Sequence, residues 1–214
     1  MIIKNKKMTS KTSSKILILP LIIALLTISI TTTTPMVYAN ATCDGNANHC
    51  YTYAKRTTAN RGGSVTIYIN SGNAVQSTYA ISNPLWIAFA GGDALEGGWE
   101  KGNIAPCSNT TAKFYTYTTV GTDSGICVGT TSGSTMTVQI TDSDVNNVWQ
   151  IIINGALKQS VYKAANSVDM EVGGESTYAS NVLNGGRDTN LSLITTVVPT
   201  TSYSWGSTVI PTYA

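Results

Sequence analysis

Charge is scarce in this chain. Lys, Arg, Asp and Glu together make up 11% of its 214 residues, against about 25% in an ordinary soluble domain. There is one histidine, His49, and no CxxC pair, which argues against a Cys/His metal site. Beyond the first 39 residues no basic cluster occurs, which argues against a nucleic-acid partner. "GTTSGST" (129–135) is Gly-rich but has no Lys and no following helix, so it is not a phosphate loop. A helical period is also missing: after residue 39 no window of a dozen residues keeps one. Only "HCYTYAKRTTAN" (49–60) admits a short helical turn.

The long apolar run is confined to one place. Lys4, Lys6, Lys7, Lys11 and Lys15 precede "ILILPLIIALLTISI" (16–30), and "VYA" (37–39) follows. This is the basic, apolar and small-residue order of a secretory signal. The run is shorter than the ~20 residues of a membrane span. The expectation is a signal peptide over 1–39, cut after Ala39, and a single domain over 40–214; an uncleaved signal-anchor is the alternative. Five of the 13 basic residues lie in the leader, leaving 8 against 11 acids. The expected product is secreted, at the cell surface or free of it, and off the membrane once cut. Its oligomeric state is open.

All four cysteines follow the leader: Cys43, Cys50, Cys107 and Cys127. An even count in an exported chain reads as two disulfides. Cys43–Cys50 and Cys107–Cys127 are preferred among the three pairings because each closes a short loop. Asn40, Asn109 and Asn190 stand in N-x-S/T sequons, the expected glycosylation sites.

What the chain does have is strand patterning. "GSVTIYIN" (63–70) and "TMTVQIT" (135–141) alternate apolar and polar residues, and "NVWQIIIN" (147–154) is apolar at Val148, Ile151, Ile152 and Ile153. Asn154-Gly155 before "ALKQSVY" is the strongest hairpin signal. Turn clusters recur every 8–15 residues or so, and "TTVVPTTSYSWGSTVIPTYA" (195–214) reads as one or two closing strands. Many short strands between regular turns predict an all-β sandwich or jelly roll.

The acids gather in "VDMEVGGESTYASN" (168–181). On a strand, Asp169, Glu171, Gly173 and Glu175 share one face, while Met170 and Val172 enter the core. Such a row is either a solvated sheet face or the wall of a groove. A Gly pair beside it marks a bulge or a close ligand approach, and Gly97-Gly98 stand likewise beside Glu96 and Trp99. Trp99, Tyr115, Tyr117 and Glu171 are candidate binding residues, the aromatics as a platform for a peptide or glycan together with Trp86. The competing reading puts Trp86 and Trp149 in the core. "DSDVNN" (142–147) lacks a Glu at the twelfth loop position and reads as a turn, not a calcium loop. His49 has no nucleophile constellation around it and reads as structural.

Taken in order, several segments resemble the glutamic peptidases (eqolisins). In "NPLWIAFAGGDALEGGWEKG" (83–102), Trp86-Ile87-Ala88-Phe89 resembles the family's Trp-Val-Gly-Ile-type start. Leu95-Glu96-Gly97-Gly98 takes the place of its Leu-Gln-x-Gly strand. "KFYTYTT" (113–119) is similar to the aromatic strand that follows, and "GSTMTVQITDSDVNNVWQIIINGALKQSVY" (133–162) to the next strand pair. "DMEVGGES" (169–176) puts Glu171 and Glu175 on the two Glu positions of Glu-Trp-Ile-Val-Glu. The resemblance implies a concanavalin A-like jelly-roll β-sandwich of two antiparallel sheets. It also implies water activation against a peptide carbonyl, with no cofactor, by the catalytic pair Glu96 and Glu175. Three departures matter: Glu96 replaces Gln, Val172 replaces Trp, and the acid of the aromatic strand is absent. A Glu–Glu pair works only with one carboxyl protonated.

The function expected is a secreted or cell-surface module of this fold, with a degenerate site and a binding role. The first alternative is an acid endopeptidase using the Glu pair. The second is a glycoside hydrolase or lectin-like domain, for which carboxyl separation sets the stereochemistry. Glu171 and Glu175 sit ~13 Å apart along a strand, too far to act alone, so Glu96 with Glu175 is the better pair.

Overall fold

The structure is a computed structural model. It describes residues 49–70, 72, 75, 78–143, 146–178 and 186–196. It also gives the backbone alone of the strands at 36–39, 42–43, 202–204 and 208–211. These all belong to the unit Thr34–Ala214. The apolar run 16–30, Asn40 and the Cys43 side chain lie outside the described residues. Among those residues no helix is long and apolar enough to cross a membrane.

The strands are β1 (Met36–Ala39), β2 (Thr42–Cys43), β3 (Cys50–Asn60), β4 (Gly62–Tyr68), β5 (Ala80–Ala88), β6 (Ala94–Gly102), β7 (Asn109–Thr118) and β8 (Ser124–Thr130). They continue as β9 (Thr135–Asp142), β10 (Val148–Ile153), β11 (Ala156–Tyr162), β12 (Ser167–Ser176), β13 (Asp188–Ile194), β14 (Ser202–Ser204) and β15 (Thr208–Pro211). One sheet runs β1-β15-β13-β4-β9-β10-β11, with β14 on β13; the other runs β2-β3-β12-β5-β6-β7-β8. The chain is an all-β sandwich of two sheets, antiparallel except that β1 pairs β15 in parallel. β1 falls within the segment read as the leader.

Alternation builds the core. Val65, Ile67, Met136, Val138, Ile140, Trp149, Ile151 and Ile153 point inward from the first sheet, and Leu85, Ile87, Leu95, Trp99, Met170 and Val172 from the second. A Cβ on Gly97 would meet Ile151 and Val138 across the gap, so the two layers touch there. Asn154 and Gly155 have φ of 50° and 74°, the left-handed pair of a type I′ hairpin. The helical turn allowed at 49–60 does not form. That segment is β3, laddered to β12 from Asn60–Ser167 to Cys50–Ser176. A continuous partner strand satisfies the backbone better than one isolated turn.

Cys107 and Cys127 form a disulfide with Cα atoms 4.9 Å apart. Cys50 is also disulfide-bonded, and the backbone of Cys43 lies opposite it in the β2/β3 ladder.

A carboxyl-lined cavity on the outer sheet face

Strand register assembles the site. β12, β5, β6 and β7 are neighbours, so residues directly opposite one another line up across four strands. One row is Glu171, Trp86, Glu96 and Tyr117; a second is Glu175, Ser82, Glu100 and Lys113. Opposed residues share a face, and this is the outer face, away from Leu85, Leu95 and Val172. The spacing within each pair of acids, Glu96–Glu100 and Glu171–Glu175, is four residues. β5 separates the two pairs.

Part of this face forms a cavity of about 300 Å³, lined by His49, Glu96, Glu100, Tyr115, Tyr117 and Glu175 and bounded by Ile104 and Ala105. Polar contacts run through it. His49 Nδ1 and Glu175 Oε1 are hydrogen-bonded at 2.6 Å. The Ser82 hydroxyl donates to Glu175 Oε2 at 3.4 Å, and the Tyr115 hydroxyl donates to Glu96 Oε2 at 3.1 Å. The Cys107 amide donates to Glu100 Oε1 at 2.7 Å. The other oxygen of Glu100, Oε2, is buried and has no hydrogen-bond partner.

Crowding carboxyls on a half-dry surface keeps protons on them. Burial pushes Glu96 up to about 7, and the Glu175 charge adds to this; bonds from Tyr115 and Trp86 oppose it. Burial likewise pushes Glu100 up to about 7, against the pull of the Cys107 amide and with a further push from Glu175. Tyr115 is raised well above its ordinary value by burial and then by the Glu96, Glu175 and Glu100 charges. Below neutrality the cavity therefore holds neutral carboxylic acids as hydrogen-bond donors.

Four of the residues singled out from sequence meet here: Glu96, Glu175, Tyr115 and Tyr117. Glu171 is on the same face but outside the cavity lining, 2.9 Å from Lys55 Nζ, which also lies 2.9 Å from Asp169. Those two bonds raise Lys55. Burial pushes Asp169 up, but its bonds to Lys55 and the Thr57 side chain and the Lys55 charge hold it below its ordinary value. Trp99 is not on this face. It is fully buried in the core and donates its indole N–H to the Tyr68 carbonyl at 3.2 Å. Trp86 is only half-buried and packs edge-on against Tyr51 and Tyr53. Trp149 is in the core. Asn109 is half-buried at the start of β7 and Asn190 is exposed on β13.

Sequence did not single out Ser82 or Glu100, and it set His49 aside as structural, whereas the ring lines the cavity and bonds Glu175. Glu100 carried a usable signal, since "EGGWE" (96–100) repeats the acid spacing of "EVGGE" (171–175). His49 carried none, because its partner is 126 positions away. Among the described residues, no group of three His, Cys, Asp or Glu side chains is arranged to hold a metal ion.

The fold and site together define a β-sandwich with an acid–base cavity on one outer face. No family model matches the chain, and no curated protein matches it. Among solved structures it is similar to a crystal structure of scytalido-glutamic peptidase with a peptide-based transition-state analogue. The TM-score is 0.46 and the identity 13%, over 76% of this chain and 83% of that one.

Proposed function

We propose that this chain is an exported acid hydrolase acting on peptide bonds, with Glu175 as general base and Glu96 as general acid. The observation that carries this reading is that the two carboxyls line one cavity while Glu96 keeps its proton up to about 7. The order of segments resembling the glutamic peptidases supports the choice of a peptide. The basic and apolar leader and the disulfides support export.

In this reading a water lies between Glu175 and the substrate carbonyl. Glu175 takes one proton as the water oxygen bonds to the carbonyl carbon, and the Glu96 proton goes to the carbonyl oxygen. The tetrahedral adduct collapses by breaking its C–N bond. The leaving nitrogen takes the proton from Glu175, and the hydroxyl proton returns to Glu96. Glu96 in its acid form supplies the neutral donor that an amide side chain would otherwise supply. His49 and Ser82 position the Glu175 carboxyl through their hydrogen bonds.

The test is hydrolysis of denatured haemoglobin from pH 2 to 8 by the purified, folded chain beside Glu175→Gln. Acid-side cleavage reduced about 10²–10⁴-fold in the variant is expected. Absence of cleavage at every pH, or cleavage untouched by the substitution, sinks the proposal.

A second reading, a binding module for a peptide or glycan, is favoured by the aromatic group beside the cavity. Tyr53 is 39% exposed and Trp86 and Tyr51 are half-buried there. Tight binding without turnover in the same assay would select it.

A further inference from the structure

We propose that Glu100 is a ligand-holding carboxyl of this cavity, its Oε2 placed to hydrogen-bond a carbonyl or hydroxyl oxygen of the molecule that lies against Glu175. This rests on the reading of the cavity as the site where substrate binds. Three observations carry it. Glu100 is 1% exposed, yet it lines the cavity rather than the core. Its Oε1 is taken by the Cys107 amide while its Oε2, equally buried, has no partner. A buried polar oxygen without a partner is costly, and the residue that carries this one lines the cavity. Register then puts Glu100 opposite Glu175 with Ser82 between them, so their Cα atoms are ~10 Å apart by two strand spacings. That width admits one extended chain between the two side chains.

The sign of the interaction follows from the surroundings. Glu175 faces Glu100 from β12, Tyr115 and Lys113 face it from β7, Glu96 shares its strand, and His49 closes the far side. Lys113 is turned to the Thr130 hydroxyl at 2.8 Å, so it does not neutralise Glu100. Burial holds the carboxyl in its acid form up to about 7. Because Oε1 already accepts a bond, the proton resides on Oε2. Glu100 therefore donates, and it selects a lone-pair oxygen over an ammonium or guanidinium group.

The test separates binding from cleavage. Fluorescently labelled peptides from denatured haemoglobin are titrated into the full chain carrying Glu175→Gln, alone and with Glu100→Gln or Glu100→Ala. Unfolding midpoints report the fold of each. At pH 4.5, Glu100→Ala is expected to weaken binding about tenfold. Glu100→Gln, which keeps an acceptor for Cys107 and a donor for the ligand, should stay within about threefold. Between pH 5 and 8 the Glu100 parent should weaken several-fold more than the Gln variant, in which only Glu96 still loses its proton. Affinity unchanged by Ala overturns the proposal, even if stability falls, because the role is then only to hold the Cys107 loop. A Gln variant as weak as Ala, or no binding by the parent at any pH, also overturns it. Binding that follows the expected pattern while the wild-type chain cleaves nothing keeps Glu100 and removes the hydrolase.

Discussion

His49 Nδ1 and Glu175 Oε1 meet at 2.6 Å across 126 positions of sequence. The pair joins the residue just before β3 to the end of β12, at the Cys50–Ser176 end of their ladder. Glu175 is 9% exposed, and the histidine and the Ser82 hydroxyl are its hydrogen-bond partners there. His49→Asn should lower cleavage of denatured haemoglobin at least tenfold. Since the histidine is 41% exposed, stability should fall by only about 1 kcal/mol. Full activity in the variant would remove His49 from the site.

Stability should fall as pH rises through neutrality, the reverse of ordinary acid denaturation. Glu96 and Glu100 hold protons up to about 7 when folded, against 4.5 ordinarily. Between those values the folded chain binds protons that the unfolded chain has released. Their contribution is full below 4.5 and is lost as pH rises through about 7. The loss is on the order of 3 kcal/mol for each group. Urea midpoints at pH 4.5 and 8 check this. The Glu96→Gln/Glu100→Gln double variant should have a shallower slope, with the remainder from Asp188, which burial also raises well above its ordinary value. A higher midpoint at pH 8 would refute it.

Two tryptophans should behave oppositely. Trp99→Ala empties a fully buried core position and should cost about 3–5 kcal/mol. Trp86→Ala removes a half-buried side chain on the cavity face and should cost about 1–2 kcal/mol while weakening peptide binding several-fold. Urea unfolding beside the peptide titration separates the two effects.

The adjacent glycines should also differ. A Cβ on Gly98 would come within 2.4 Å of the Asn83 carbonyl and 2.6 Å of Pro84 Cα, both backbone. On Gly97 it would meet only side chains, at 2.9 and 3.0 Å. Gly98→Ala is expected to cost about 3 kcal/mol or to block folding, and Gly97→Ala about 1–2 kcal/mol. Equal unfolding midpoints for the two variants would count against the tight β5/β6 approach at Gly98.

Cutting the Cys107–Cys127 link, which closes 20 residues, should cost about 3 kcal/mol of unfolding free energy. It should also loosen the segment whose amide holds Glu100. The paired Cys107→Ser/Cys127→Ser variant should therefore lose peptide affinity at pH 4.5 more than stability alone explains at temperatures where it remains folded.

Strand class was legible because period-two patterning is local: each of "GSVTIYIN", "TMTVQIT" and "NVWQIIIN" states its own buried face. The Asn154-Gly155 turn was legible for the same reason, since two adjacent residues decide it, and so was the Cys107–Cys127 pair. The short segment 49–60 misled because its Tyr and Thr residues fit either a turn or a strand until β12 lies beside it. Glu96 and Glu175 stood out as acids beside glycines in a chain poor in charge, whereas nothing local marked Trp99 as core and Trp86 as half-exposed. That difference is one of parity, set by which neighbour each strand takes. The order β12-β5-β6-β7 belongs to the tertiary structure alone. It sets Glu175 across from Glu96 and Glu100, brings His49 and Ser82 to Glu175, and dries the surface enough to keep Glu96 and Glu100 protonated. Composition and alternation determined that this chain is a two-sheet β protein. Which acids share a cavity, and which keep their protons, was decided by long-range pairing and burial, neither of which is a property of any one stretch of residues.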